Sequence, residues 1–107
     1  ETTLSLALIS DLPKGVLLIY LDEDQLLRES FRFGEKSGLF RRSKAETGRL
    51  QKRLTVPAGD HSLRIYVSGA RNRPTEVRRV DGSFPAGGSR RLEIRVDAEG
   101  EVDVSLR

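Results

Sequence analysis

Apolar and polar residues alternate at every second position along most of this chain, in short runs separated by glycine, proline and aspartate. Leu4, Leu6 and Leu8 follow this rule, as do Leu63, Ile65 and Val67, then Leu92, Ile94 and Val96, then Val102, Val104 and Leu106. A period of two sends successive side chains to opposite faces of a sheet, giving each run one face for a core and one for water. The pattern predicts strands over residues 2–9, 16–21, 25–33, 49–56, 61–68, 75–80, 90–96 and 101–106. Strands spaced about 8 to 12 residues apart, with turn residues between them, indicate an all-β protein. The expectation is a single β-sandwich of seven to eight mostly antiparallel strands.

Two runs depart from simple alternation. Val16, Leu17, Leu18, Ile19, Tyr20 and Leu21 are all apolar, which fits a strand covered on both faces or one whose outer face meets a partner. In residues 25–33, Leu27, Phe31 and Phe33 share parity with Glu29, and a helix is the competing reading there. Residues 34–48 are rich in glycine, serine and charge and are read as a long basic loop, a length that in compact domains is usually functional or disordered. Pro57, Ala58, Gly59 and Asp60 predict a tight reversal, so that residues 49–56 and 61–68 form a hairpin candidate. Residues 81–89 contain Asp81-Gly82 and Gly87-Gly88 and are read as a turn region.

A length of 107 residues suits one domain, burying roughly two thirds of the surface that the unfolded chain exposes. With no cysteine, disulfides, thiol nucleophiles and cysteine metal sites are excluded, and packing and sheet hydrogen bonds must stabilise the fold. No apolar run approaches the ~20 residues that a membrane-crossing helix needs. The chain starts at Glu1 and contains no methionine, so it is expected to be part of a longer polypeptide.

Three turn motifs carry a family resemblance. Leu12-Pro13-Lys14-Gly15-Val16 running into Ile19-Tyr20-Leu21-Asp22 resembles the opening of PEGA-type domains. Val56-Pro57-Ala58-Gly59-Asp60-His61-Ser62-Leu63-Arg64-Ile65 is similar to the central turn of that family, and Phe84-Pro85-Ala86-Gly87-Gly88-Ser89 to its closing hairpin. The likeness spans most of residues 12–106. No glycine follows Asp22, and the stretch before Pro57 is longer than the family pattern, so immunoglobulin-like and transthyretin-like sandwiches stay open. The resemblance implies a non-catalytic accessory module in a bacterial periplasmic, cell-surface or membrane-tethered protein.

Reactive chemistry is sparse. His61 is the only histidine, so a histidine metal cluster cannot be built, and its position beside the 57–60 turn suits a ring that holds loop backbone. Asp22-Glu23-Asp24 and the group Asp97, Glu99, Glu101 and Asp103 match no calcium-loop spacing. The chain is expected not to be an enzyme, and no catalytic residue, cofactor or metal site is assigned. Charge is the stronger signal. Residues 1–33 hold six acids and three bases, residues 34–91 five acids and fourteen bases, and residues 92–107 five acids and two bases, giving nets of −3, +9 and −3. Lys36, Arg41, Arg42, Lys44, Arg49, Lys52 and Arg53, with Leu39 and Phe40 among them, are the candidate partner-binding residues. An apolar pair rimmed by arginines resembles an interface hot spot, which favours protein contact or a spacer role, with the partner another protein or flanking domains of the same chain. Polyanion binding through residues 34–53, to nucleic acid, anionic lipid or acidic glycan, is the alternative.

Overall fold

Each of the eight alternating runs becomes a strand. In the computed structural model, which describes residues 1–33, 48–69 and 75–107, the strands are β1 (Thr2–Ser10), β2 (Lys14–Leu21), β3 (Asp24–Arg32), β4 (Gly48–Val56), β5 (Gly59–Ser68), β6 (Glu76–Phe84), β7 (Ser89–Val96) and β8 (Val102–Leu106). They form two four-stranded sheets, ordered β4-β1-β7-β8 and β3-β2-β5-β6. Neighbours run antiparallel except β1 and β7, which are parallel. The all-β sandwich read from the alternation is the observed architecture.

The core is the set of inward positions that the alternation marks. Leu4, Leu8, Leu17, Ile19, Leu63, Ile65, Leu92 and Ile94 are wholly buried, and Leu6, Val56, Val67, Phe84 and Val96 nearly so. Fully burying an aliphatic side chain stabilises by about 1.5–3 kcal/mol, so this double layer is the main source of cohesion in a chain without disulfides. The open sides of the sandwich are tied by polar contacts. Arg78 Nε donates to the Val102 carbonyl at 2.9 Å, joining β6 to β8, and Lys52 meets Glu29 at 3.4 Å, joining β4 to β3.

The helical reading of residues 25–33 is replaced by β3, and the reason for its irregular pattern is visible. Ile19 lies opposite Leu27 while Tyr20 lies opposite Gln25, so Leu26 is an extra residue in a β-bulge. The bulge lets Leu26 and Leu27 both pack against the core, which no strict alternation permits. Phe33 falls just past the strand and stacks on Phe31, centroids 5.4 Å apart.

Two turn readings are corrected. Asp81 and Gly82 are not a turn, because β6 continues to Phe84 with Gly82 opposite His61. Glycine makes room there: a Cβ would lie 2.5 Å from Leu106 Cδ2 on the facing sheet, and the tip of that side chain would have to shift. Residues 49–56 and 61–68 are not a hairpin either, since β4 pairs with β1 and β5 with β2 and β6. Two-residue hairpins need positive φ at one or both central positions, with glycine or asparagine preferred, and Pro57-Ala58 cannot supply it. The chain instead crosses from one sheet to the other, with the positive φ of 122° falling later, at Gly59. The genuine two-residue reversal is at Asp22-Glu23 between β2 and β3, where Asp22 adopts φ 57°.

Candidate functional site

The outward positions of β2 follow from the inward ones. With Leu17, Ile19 and Leu21 in the core, Val16, Leu18 and Tyr20 face away from it and are half-buried. Cross-strand register extends this apolar strip sideways. Leu18 lies opposite Arg28 on β3 and Tyr66 on β5, and Tyr66 lies opposite Val77 on β6. The resulting row, Arg28–Leu18–Tyr66–Val77, crosses four strands and so spans about 15 Å. Val77 is 46% exposed, the one exposed large hydrophobic side chain among the described residues.

The two tyrosines are held in place. Their rings meet edge to face with centroids 5.8 Å apart, a geometry that satisfies the aromatic quadrupole. The Arg64 guanidinium sits 5.3 Å above the Tyr20 ring, donates from Nη2 to the Asp22 carbonyl at 3.0 Å and from Nη1 to the Tyr66 hydroxyl at 3.4 Å. Arg79 lies opposite Arg64 and pairs with Asp81 at 3.1 Å. The Ser62 hydroxyl and then Arg79 hold the Asp81 carboxyl below its ordinary value. Arg28 is exposed and has no ion-pair partner among the described residues. The outer face of the β3-β2-β5-β6 sheet is therefore an apolar and aromatic strip rimmed by arginines.

His61, of the same inward parity as Leu63 and Ile65, sits at one end of the sandwich and is structural. Its Nδ1 lies 2.7 Å from Asp22 Oδ2 and its Nε2 lies 2.9 Å from the Pro57 carbonyl. Both partners are acceptors, and the imidazolium form, in which both ring nitrogens donate, satisfies both at once. The Asp22 carboxylate first and the Pro57 carbonyl next raise the histidine above its ordinary 6.5, against an opposing contribution from burial. Asp22 is held below its ordinary 3.8 by the Ser62 amide and then by His61. A histidine acting as a base would aim its free nitrogen at a nucleophile or substrate, whereas here Nε2 is committed to backbone. The ring ties the β2–β3 turn to the β4–β5 crossover and rests against Phe84, centroids 5.5 Å apart.

Asp97 is likewise engaged in a turn. Asp97 Oδ1 accepts the amides of Glu99 and Glu101 at 3.0 and 2.9 Å, closing the β7–β8 reversal. Among the described residues no set of three or more histidine and carboxylate side chains converges on a point that could hold a metal ion.

Of the partner-binding residues expected from charge, Lys36, Leu39, Phe40, Arg41, Arg42 and Lys44 lie outside the described residues. The remaining three sit on β4 and separate by parity. Arg49 and Arg53 lie opposite Ile9 and Ser5 on the outer face of the β4-β1-β7-β8 sheet, while Lys52 lies opposite the core residue Leu6 and turns toward Glu29. Charge counting missed Tyr20, Arg28, Arg64, Tyr66 and Val77. The continuous apolar run at 16–21 signalled the face, and Tyr66 between the inward Ile65 and Val67 was its second available mark. No protein-family model matches this chain, and a search of curated proteins finds none similar to it.

Proposed function

We propose that this domain is a non-catalytic β-sandwich module that docks a protein partner on the outer face of the β3-β2-β5-β6 sheet. The observation that carries the reading is the row Arg28–Leu18–Tyr66–Val77 with Tyr20 and Arg64 beside it. Aromatic and arginine side chains dominate binding hot spots because they bury much area at little rotamer cost. Charge complementarity selects the occupant: an apolar segment flanked by aspartate or glutamate. The commitment of His61 to Asp22 and the Pro57 carbonyl, and of Asp97 to its own turn, supports a binding role over catalysis. The strand order speaks against the immunoglobulin-like alternative, since in immunoglobulin domains the first two strands are neighbours in one sheet, whereas β1 and β2 lie in opposite sheets. A PEGA-like accessory module of a periplasmic or membrane-tethered parent protein remains part of this proposal on its turn motifs.

The test is selection of a random dodecapeptide display library on the intact domain and on its Leu18→Lys/Tyr66→Ser variant. The expected result is enrichment of apolar sequences flanked by acids that bind the parent domain and not the variant. Failure to enrich any sequence, or equal binding to both proteins, would overturn the reading.

A further inference from the structure

On the other sheet, the outward positions of β1 include Ser5 and Ala7, whose side chains are short. Ser5 lies opposite Arg53 of β4 on one side and Arg91 of β7 on the other. With strands about 4.8 Å apart, the two arginine Cα atoms stand roughly 10 Å from each other across the serine. The short floor and tall walls leave a trough of about 390 Å³ lined by Ser5, Ala7, Gln51, Arg53 and Arg91 among others. Arg53 and Arg91 are both exposed, and neither side chain has a hydrogen bond or ion pair among the described residues. The Ser5 hydroxyl is likewise without a hydrogen bond to a described residue. The contrast lies two residues along β7 on the same face, where Glu93, opposite Ala7, takes both Arg95, at 2.9 Å, and Arg107, at 3.4 Å. Two like charges facing one cleft are unfavourable without a counter-anion, and guanidinium forks fit planar or tetrahedral oxyanions.

We propose that Arg53 and Arg91, with the Ser5 hydroxyl between them, clamp the sulfate or carboxylate groups of an acidic polysaccharide laid along β1. Four residues further along the same strand, about 13 Å away, Arg49 beside Ile9 adds a further cation on the β4 side, while Arg95 on the β7 side is held by Glu93. The polymer is a glycan and not nucleic acid on two grounds. The outward positions of this sheet carry no aromatic ring among the described residues, so there is no stacking platform of the kind single strands use. A trough bounded by strands 10 Å apart admits one chain and not a duplex. The clamp is independent of the docking face on the opposite sheet.

The probe is a heparin octasaccharide titrated into the intact chain by calorimetry across a salt series, alongside oligo-dT and phosphatidylserine vesicles. Arg53→Ser/Arg91→Ser is expected to weaken octasaccharide binding by roughly tenfold or more and to lower the slope of log Kd against log salt by about two. Lys14→Ser/Arg32→Ser removes the same charge from exposed sites on the other sheet and is expected to change the affinity far less. Ser5→Glu keeps both arginines and places a carboxylate on the floor, so it must also abolish binding, and it decides the matter if the double variant fails to fold. No octasaccharide binding, equal losses in the two double variants, or tighter binding to oligo-dT or vesicles would each overturn the proposal.

Discussion

The outward residues of β2, in the β3-β2-β5-β6 sheet, are Val16, Leu18 and Tyr20; those of β1, in the other sheet, include Ser5 and Ala7. Both strands are interior to their sheets and both have three or more fully buried or nearly buried residues on the opposite side. The difference is side-chain length. Large outward residues on β2 fill the space between their neighbours and bring two tyrosines into contact, giving a raised apolar surface with Arg64 lying flat on a ring. Short outward residues on β1 leave Arg53 and Arg91 standing above a trough. The same backbone thus presents an apolar face that suits a protein partner and a basic cleft that suits an anion.

Adjacent residues on β2 offer the strongest way to break this comparison. Ile19→Ala opens a cavity in the core and is expected to cost about 2–5 kcal/mol, whereas Leu18→Ala, one position along, should cost well under half as much in the same denaturant titration. Equal costs would mean that the outer face is covered in the folded domain and is not a free surface.

The His61 contact makes stability depend on pH at one end of the sandwich. His61 is raised above 6.5, so its contribution is whole below 6.5 and is lost as pH rises through the raised value. Asp22 is lowered below 3.8, so its contribution is whole above 3.8 and is lost as pH falls through the lowered value. Stability should therefore be flat between these limits and fall on either side of them. Asp22→Asn keeps a residue tolerant of positive φ and is expected to bring the His61 titration back toward 6.5 by NMR. Because Arg64 is bonded to the Asp22 carbonyl, Tyr20 and Tyr66 resonances should follow the same titration while Ser5 and Ala7 do not.

Smaller effects sharpen the contrast between an organised arginine and a solvated pair. Arg64→Ala removes the cation over Tyr20 and should cost about 0.5–1 kcal/mol, with greater mobility of the Tyr20 ring in relaxation measurements. Lys52→Ala breaks the ion pair with Glu29 at the exposed rim and should cost no more than about 0.5 kcal/mol, an effect that 0.5 M salt erases.

All eight strands were legible in the alternation, most to within one or two residues at their ends, because the direction of a side chain on a strand is a local consequence of backbone pleat. The turn at residues 97–100 was legible too, since aspartate and glycine act on their own backbone. The β3 bulge was not: that Leu26 and Leu27 both pack against the core depends on Tyr20 pairing with Gln25 across the strand. Nor was the length of β6, because Asp81-Gly82 has turn chemistry and only the approach of Leu106 shows why glycine stands in a strand there. His61 could be placed at a turn from sequence, but its partner Asp22 lies 39 residues away.

What the sequence determined by itself was the fold class, the strands and the inward set of residues, because each follows from a period that repeats over a few neighbours. The tertiary structure decided which strands pair, that Pro57-Ala58 crosses between sheets, and that Tyr20 meets Tyr66 while Arg53 faces Arg91. Those outcomes depend on register between strands tens of residues apart, which is selected by packing the whole core at once and leaves no mark in any single stretch of chain.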